Sequence, residues 1–165
     1  MAQRFVLAYF VWLGVLFGLL YWNPSPFSEW PNEFLRLKLL AILDAGLPGG
    51  QVRGSDIWIN PHYKLVIEKA CNGMIPVLMY LASIFAFPSG WGRRILWGIA
   101  GSLILLGLNV ARVFMVTYFV MEGGRGNFSL SHDVFGNAIF MVTGLALFYA
   151  FIRGGKQTNA QTIRT

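Results

Sequence analysis

Charge is scarce in this chain. Asp, Glu, Lys and Arg make up 12% of its 165 residues, against about a quarter in a soluble domain. With 56% hydrophobic residues and a mean hydropathy of +0.57, that scarcity excludes an ordinary water-soluble domain and points to an integral membrane protein. Cysteine occurs once and histidine twice. A lone cysteine cannot close an intramolecular disulfide. One Cys and two His, with no acid inside the apolar stretches, do not supply a closed zinc or haem site, so neither a metal nor another cofactor is called for. Gly-x-Ser-x-Gly, phosphate-loop and His-Glu-x-x-His patterns are all missing. The net charge of +6 needs no nucleic-acid partner, because about half of the thirteen basic residues read as cytoplasmic anchors.

What the chain does have is long apolar runs. A spanning helix needs roughly 20 mostly apolar residues. Segments 5–22, 95–120 and 134–152 qualify or nearly so, and a shorter uncharged one, 72–87, reads as a span whose ends lie inside the interfaces. The fold class is therefore an all-α integral membrane bundle of about four transmembrane helices, forming a single membrane domain. The first run reads as a retained span rather than a cleaved signal, since Trp12, Tyr21 and Trp22 suit a membrane interface and no small-x-small site follows before Pro24.

The charges sort by side. With four spans, Arg4, Arg93, Arg94, Arg153, Lys156 and Arg164 share one side without an acid, and all seven acids fall on the other. Cytoplasmic loops collect Lys and Arg. Both termini are thus expected in the cytoplasm, with a polar, disordered tail at 153–165, and segments 23–70 and 121–133 outside. In the outer segment, residues 34–43 place Leu35, Leu39 and Ile42 at helical spacing, which suits a short amphipathic surface helix. Two alternating runs, 56–60 and 64–69, flank Asn60-Pro61-His62 and predict a β-hairpin.

Chemistry concentrates at three places. Arg112 stands inside an apolar run, where an ionisable residue is by default a functional-site candidate; Asn109 precedes it on the same helical face and is placed to orient it. Cys71 sits at a strand-to-helix turn, where a helix N-terminus lowers a thiol pKa. His132 opens the last span. All three fall in one membrane layer. Each has a bland alternative: a small buried hydrophobe for Cys71, a solvated or capping residue for His132, and a structural ion pair with Glu122 or Asp133 for Arg112. A non-catalytic membrane assembly or lipid-binding subunit, with Arg112 structural, therefore stays open. A redox carrier would need a resolving cysteine that the chain lacks.

Ala70-Cys71-Asn72-Gly73 opening one span, Asn109-Val110-Ala111-Arg112 in the next, and His132 followed by Gly136 opening the last resemble the exosortase and archaeosortase family over roughly residues 50 to 152. The short chain, and Glu68-Lys69 before the thiol motif with Phe87-Pro88 closing the span, look most like the small exosortase H type. The resemblance implies a multispanning, bacterial inner-membrane transpeptidase or protease with its site on the extracytoplasmic face. Its partners would be exported proteins carrying a C-terminal sorting signal (a short motif, a transmembrane helix and a basic cluster), together with membrane lipids. It further implies Cys71 as nucleophile, Arg112 as the cationic member and His132 as the acid/base member; archaeal relatives tend to have arginine in place of that histidine. Asn72 departs from the serine that many members carry, and is expected beside the site with Asn109. Trp58 and Tyr63 in the outer segment are expected to touch substrate. The motif, the acceptor and the oligomeric state are not legible in the sequence.

Overall fold

The computed structural model describes residues 2–47, 49–123 and 137–162, with side chains through Gly154. Five α-helices and a three-stranded sheet make up these segments. In chain order they are α1 (Ala2–Leu20), α2 (Glu29–Gly46), β1 (Val52–Arg53), β2 (Asp56–Asn60), β3 (Tyr63–Val66), a 3₁₀ turn (Lys69–Cys71), α3 (Met74–Ala86), α4 (Trp91–Gly123) and α5 (Asn137–Thr162). The all-α membrane bundle expected from the sequence is what forms. Among the described residues, α1, α4 and the Asn137–Gly154 part of α5 are long and apolar enough to cross a bilayer. Their outward side chains are apolar: Leu7 is 70% exposed, Leu96 67% and Met141 65%. Water would not tolerate that surface, and a bilayer would.

The fourth apolar helix is shorter than expected. α3 has 13 residues, or ~20 Å at 1.5 Å per residue, well under the ~30 Å of a hydrocarbon core. It can be short because protein surrounds it. Val77, Leu78, Tyr80, Ala82 and Ile84 are buried, and α3 packs against α1, α4 and α5. Val77, Tyr80 and Ile84 form one core cluster with Leu105 of α4 and Phe151 of α5. Close approach is possible there because Gly101 of α4 has no Cβ: one would lie well inside van der Waals contact with the Tyr80 ring, whose hydroxyl donates to the Trp97 carbonyl at 2.9 Å.

A second cluster lies at the other end of the bundle. Leu39, Leu40 and Leu43 of α2 meet Ile57, Leu65 and Ile67 from the sheet segment and Val113 of α4. This corrects two details of the predicted outer segment. The surface helix runs 18 residues rather than ten, and its buried stripe is Asn32, Leu39, Leu40 and Leu43; Ile42 is exposed and Leu35 only partly covered. The predicted hairpin gains a third strand, because Val52 and Arg53 pair with Ile57 and Asp56, giving the order β1-β2-β3. The span boundaries shift too. Predicted spans 5–22, 72–87 and 95–120 become α1, α3 and α4, and the helix predicted over 134–152 begins, among the described residues, at Asn137. The tail predicted to be disordered continues α5 in helical backbone to Thr162.

The charge partition is visible in the fold. Arg93 stacks on Phe151 at 4.6 Å near the end of the apolar Asn137–Gly154 part of α5, and Phe5, next to Arg4, stacks on Phe148 at 5.7 Å, so basic residues of α1 and α4 lie at the same end of the bundle as that part of α5. Glu29, Glu33, Asp44, Asp56 and Glu68 belong to α2 and the sheet segment at the other.

Replacing Gly101 by alanine should lower stability by about 1–3 kcal/mol through overpacking against Tyr80, seen as a reduced thermal midpoint in detergent. Gly14→Ala, where a Cβ meets nothing within 4 Å, should leave the midpoint unchanged or slightly higher, since alanine is the better helix former.

Candidate functional site

Cys71 is the last residue of the 3₁₀ turn, three residues before α3 begins. Three helices hold this turn in place. On its N-terminal side, the Lys69 ammonium donates to the Tyr21 carbonyl at 2.5 Å and to Asn23 Oδ1 at 2.7 Å, and lies 4.7 Å over the Tyr21 ring, tying the turn to the end of α1. On its C-terminal side, Asn72 is 2% exposed; its Nδ2 donates to Asn32 Oδ1 of α2 at 2.8 Å, while its Oδ1 accepts the Met74 N–H at 2.9 Å and satisfies a free donor of α3. Asn32 in turn donates to the carbonyls of Leu20 and Ser28, both at 2.6 Å. Between them, the Cys71 carbonyl accepts from Asn109 Nδ2 of α4 at 2.8 Å.

Gly73 completes the turn. Its φ of +82° suits glycine, and a Cβ there would stand 3.0 Å from the Asn109 side chain. The Asn72-Gly73 pair in the sequence motif is thus a backbone requirement: one residue crosslinks helices and the next lets the chain turn against α4.

The two amides expected beside the site thus have definite structural partners: Asn109 clamps the backbone of Cys71, and Asn72 joins α2 to α3. Arg112 itself lines a cleft of about 200 Å³ together with Cys71, Tyr63 and Thr117, and its guanidinium carbon lies 5.5 Å from the centre of the Phe140 ring of α5. That distance is cation–π range. Of the two aromatic residues expected to contact substrate, Tyr63 lines this cleft and Trp58 does not. Trp58 sits under the Lys64 ammonium at 5.6 Å, beside the Lys64–Asp56 ion pair of 2.5 Å. His132 lies outside the described residues.

The depth of the site follows from helix lengths. Arg112 is 18 residues beyond Arg94, or ~27 Å along α4, close to the full thickness of a hydrocarbon core. α1 has 19 residues, and the chain just past its end bonds Lys69. Cys71 and Arg112 therefore sit near the membrane boundary at the sheet end, and the 33-residue α4 projects past it into the cluster formed with α2 and the sheet. The cost of a charge inside the apolar run, which made Arg112 conspicuous, is eased because the run overshoots the bilayer.

Burial pushes the Cys71 thiol above its ordinary range. A backbone hydrogen bond at Glu68 and the Arg112 guanidinium pull it back, and the Glu68 carboxylate pushes it further up. Desolvation is the largest influence, so the turn that separates Cys71 from α3 does not deliver the lowered thiol pKa expected of a helix N-terminus. That balance favours the protonated thiol over the thiolate.

Thr117 and Asn32 escaped the sequence reading. Thr117 is fully buried, faces the cleft, and its hydroxyl has no hydrogen-bond partner among the described residues. The signal was available: Arg112, Val113, Val116 and Thr117 follow the i, i+1, i+4, i+5 stripe of one helix face. Asn32 carried no such signal, since an asparagine four residues past Ser28 reads as solvated.

A half-buried thiol that shares a cleft with a guanidinium, at the rim of a bundle with an apolar exterior, defines a multi-pass membrane protein with a candidate nucleophile. Residues 40–149, two thirds of the chain, match the family model of the transmembrane exosortase, and the chain belongs to that family. Neither a curated protein nor a solved structure matches it.

The pH dependence of Cys71 alkylation by iodoacetamide in membranes tests the electrostatics. Its midpoint should lie above the ~8.5 of a free thiol. Arg112→Gln should move it up, because a charge that favours the thiolate is lost, and Glu68→Gln should move it down. An unchanged midpoint in Arg112→Gln would show that the guanidinium does not act on the thiol.

Proposed function

We propose that this exosortase-family protein is a cysteine-dependent transpeptidase or protease that removes the C-terminal transmembrane helix of exported proteins at the outer face of the bacterial inner membrane. The observation that carries the reading is the shared cleft of Cys71 and Arg112 at the membrane boundary, where a peptide bond just outside a substrate's own membrane helix would lie.

In this mechanism His132 removes the Cys71 proton. The sulfur attacks the scissile carbonyl carbon, and Arg112 stabilises the oxyanion of the tetrahedral intermediate. Collapse breaks the C–N bond; His132 returns its proton to the departing amine, which leaves with the membrane helix. The remaining thioester on Cys71 is resolved by an acceptor nucleophile or by water. The raised thiol pKa fits this division of labour, because a thiol that stays protonated at rest becomes reactive only when a base is positioned. The Asn109 clamp supports it as well, since it fixes the backbone of the attacking residue, as a reactive geometry requires.

Orientation follows the charge partition. With the basic end of α1, α4 and α5 in the cytoplasm, the sheet, α2 and the cleft face outward. Exported proteins and membrane lipids are then the partners.

The test is co-expression with a reporter exported protein that ends in a transmembrane helix and a basic cluster, followed by mass analysis of the reporter. Wild type should remove the helix; Cys71→Ala and His132→Ala should not, and Arg112→Ala should process ~10²–10³-fold more slowly. Processing by Cys71→Ala equal to wild type would sink the nucleophile assignment and leave Arg112 as the structural residue of a non-catalytic membrane subunit.

A further inference from the structure

The Cys71 cleft has two walls. One is the Arg112–Thr117 stripe of α4. The other is β3, and there the cleft touches five consecutive residues, Tyr63 to Ile67. Successive side chains of a strand point to opposite faces, so a cavity lined by five residues in a row runs along the edge of the strand rather than over one face. β3 is an edge of the sheet, with no further strand paired to it among the described residues.

The register identifies the backbone groups on that edge. The Ile67 N–H donates to the Ser55 carbonyl at 2.9 Å, and Leu65 lies opposite Ile57, so the polar groups of Leu65 and Ile67 turn toward β2. The Trp58 N–H turns the other way, to the Gln51 carbonyl of the β1 segment at 2.8 Å, so Trp58 and its partner Lys64 exchange no bonds. By the alternation of antiparallel ladders, Lys64 and Val66 present their N–H and C=O groups to the open edge. Val66 is 47% exposed.

We infer that this edge is the docking rail for the peptide to be cut: an extended segment beside the scissile bond adds to β3 as a fourth strand, pairing with the outward backbone groups of Lys64 and Val66 and running toward Cys71. Strand addition of this kind draws affinity from main-chain bonds and selectivity from the side-chain pockets beside them. The occupant is a peptide rather than a lipid, because an acyl chain has nothing to pair with a row of amide donors and acceptors. It belongs to the substrate, because the same cleft holds Cys71 and Arg112. On the opposite wall the buried Thr117 hydroxyl, without a partner among the described residues, is placed to bond a polar group of the same segment. The inference rests on the function proposed above and adds the form in which substrate is held.

Proline supplies the test, because it is tolerated on an edge strand where its missing N–H faces outward but cannot pair there. In full-length protein at matched membrane levels, with the reporter described above, Val66→Pro should process at least tenfold more slowly than Val66→Ala, while its Cys71 reacts with iodoacetamide at the wild-type rate. Equal processing by the two Val66 variants overturns the inference. A second measurement is independent of how the proline variant folds: a photocrosslinking residue at position 66, in the Cys71→Ala background, should capture the reporter through residues next to the cut. No adduct overturns the inference, as does an adduct through the membrane helix alone. If wild type and Cys71→Ala process the reporter equally, it is the proposed function that fails, and the docking rail falls with it.

Discussion

The amide clamp on the thiol's turn is the constraint on which the site depends. Ala70-Cys71-Asn72-Gly73 belongs to neither the sheet nor α3, and a four-residue connection has no rigidity of its own. It is fixed because Asn109 holds the Cys71 carbonyl from α4, Asn72 reaches α2, and Lys69 reaches the end of α1. Two of these links are buried amides, and leaving a buried polar group unpaired costs about 1–3 kcal/mol. The turn therefore has one low-energy position only when all three helices are in place. The position of the sulfur thus depends on how α1, α2 and α4 pack around the turn.

α4 is the element that makes this possible. Its lower half carries Gly101 against Tyr80 and Leu105 in the inner cluster, and its upper half carries Asn109, Arg112, Val113 and Thr117. One continuous helix thus transmits the geometry of the bundle core to the cleft. A bundle of membrane-length helices alone would have ended at the boundary, leaving the guanidinium with lipid headgroups. The overhang gives α2 and the sheet something to pack on, and Cys71 rests against their cluster.

Much of this was legible in the sequence. The apolar runs gave the membrane class and three long spans, because a bilayer imposes both length and composition. Cys71 and Arg112 stood out because a single thiol and a guanidinium within an apolar run are exceptions to those constraints, and the fold places both on one cleft. The roles of Asn72 and Asn109 were not legible, since an amide's partner is chosen by tertiary geometry and the partner Asn32 lies 40 residues away. The thiol's electrostatics were misjudged for a related reason: proximity to a helix N-terminus is visible in sequence, whereas desolvation by α4 and the sheet is not. β1 was missed because two residues carry no periodicity. Its presence matters, as it pairs with one edge of β2 and makes β3, beside the cleft, the other edge of the sheet among the described residues.

The end of α1 carries a last consequence. No residue of α1 is fully buried, so α1 packs on α3 along one side and leaves the other exposed. Its final carbonyls would be costly to leave bare near hydrocarbon, and they are satisfied from outside the helix: Leu19 by the Ser25 hydroxyl, Leu20 by Asn32, and Tyr21, one residue past the end, by Lys69. At 19 residues, ~29 Å, α1 matches a hydrocarbon core almost without slack. A thicker or thinner bilayer shifts or tilts such a helix, and its end is bonded to the turn that carries the sulfur. A tilt of α1 would therefore be felt at the Cys71 turn along two routes, directly through Lys69 and through Asn32 and Asn72.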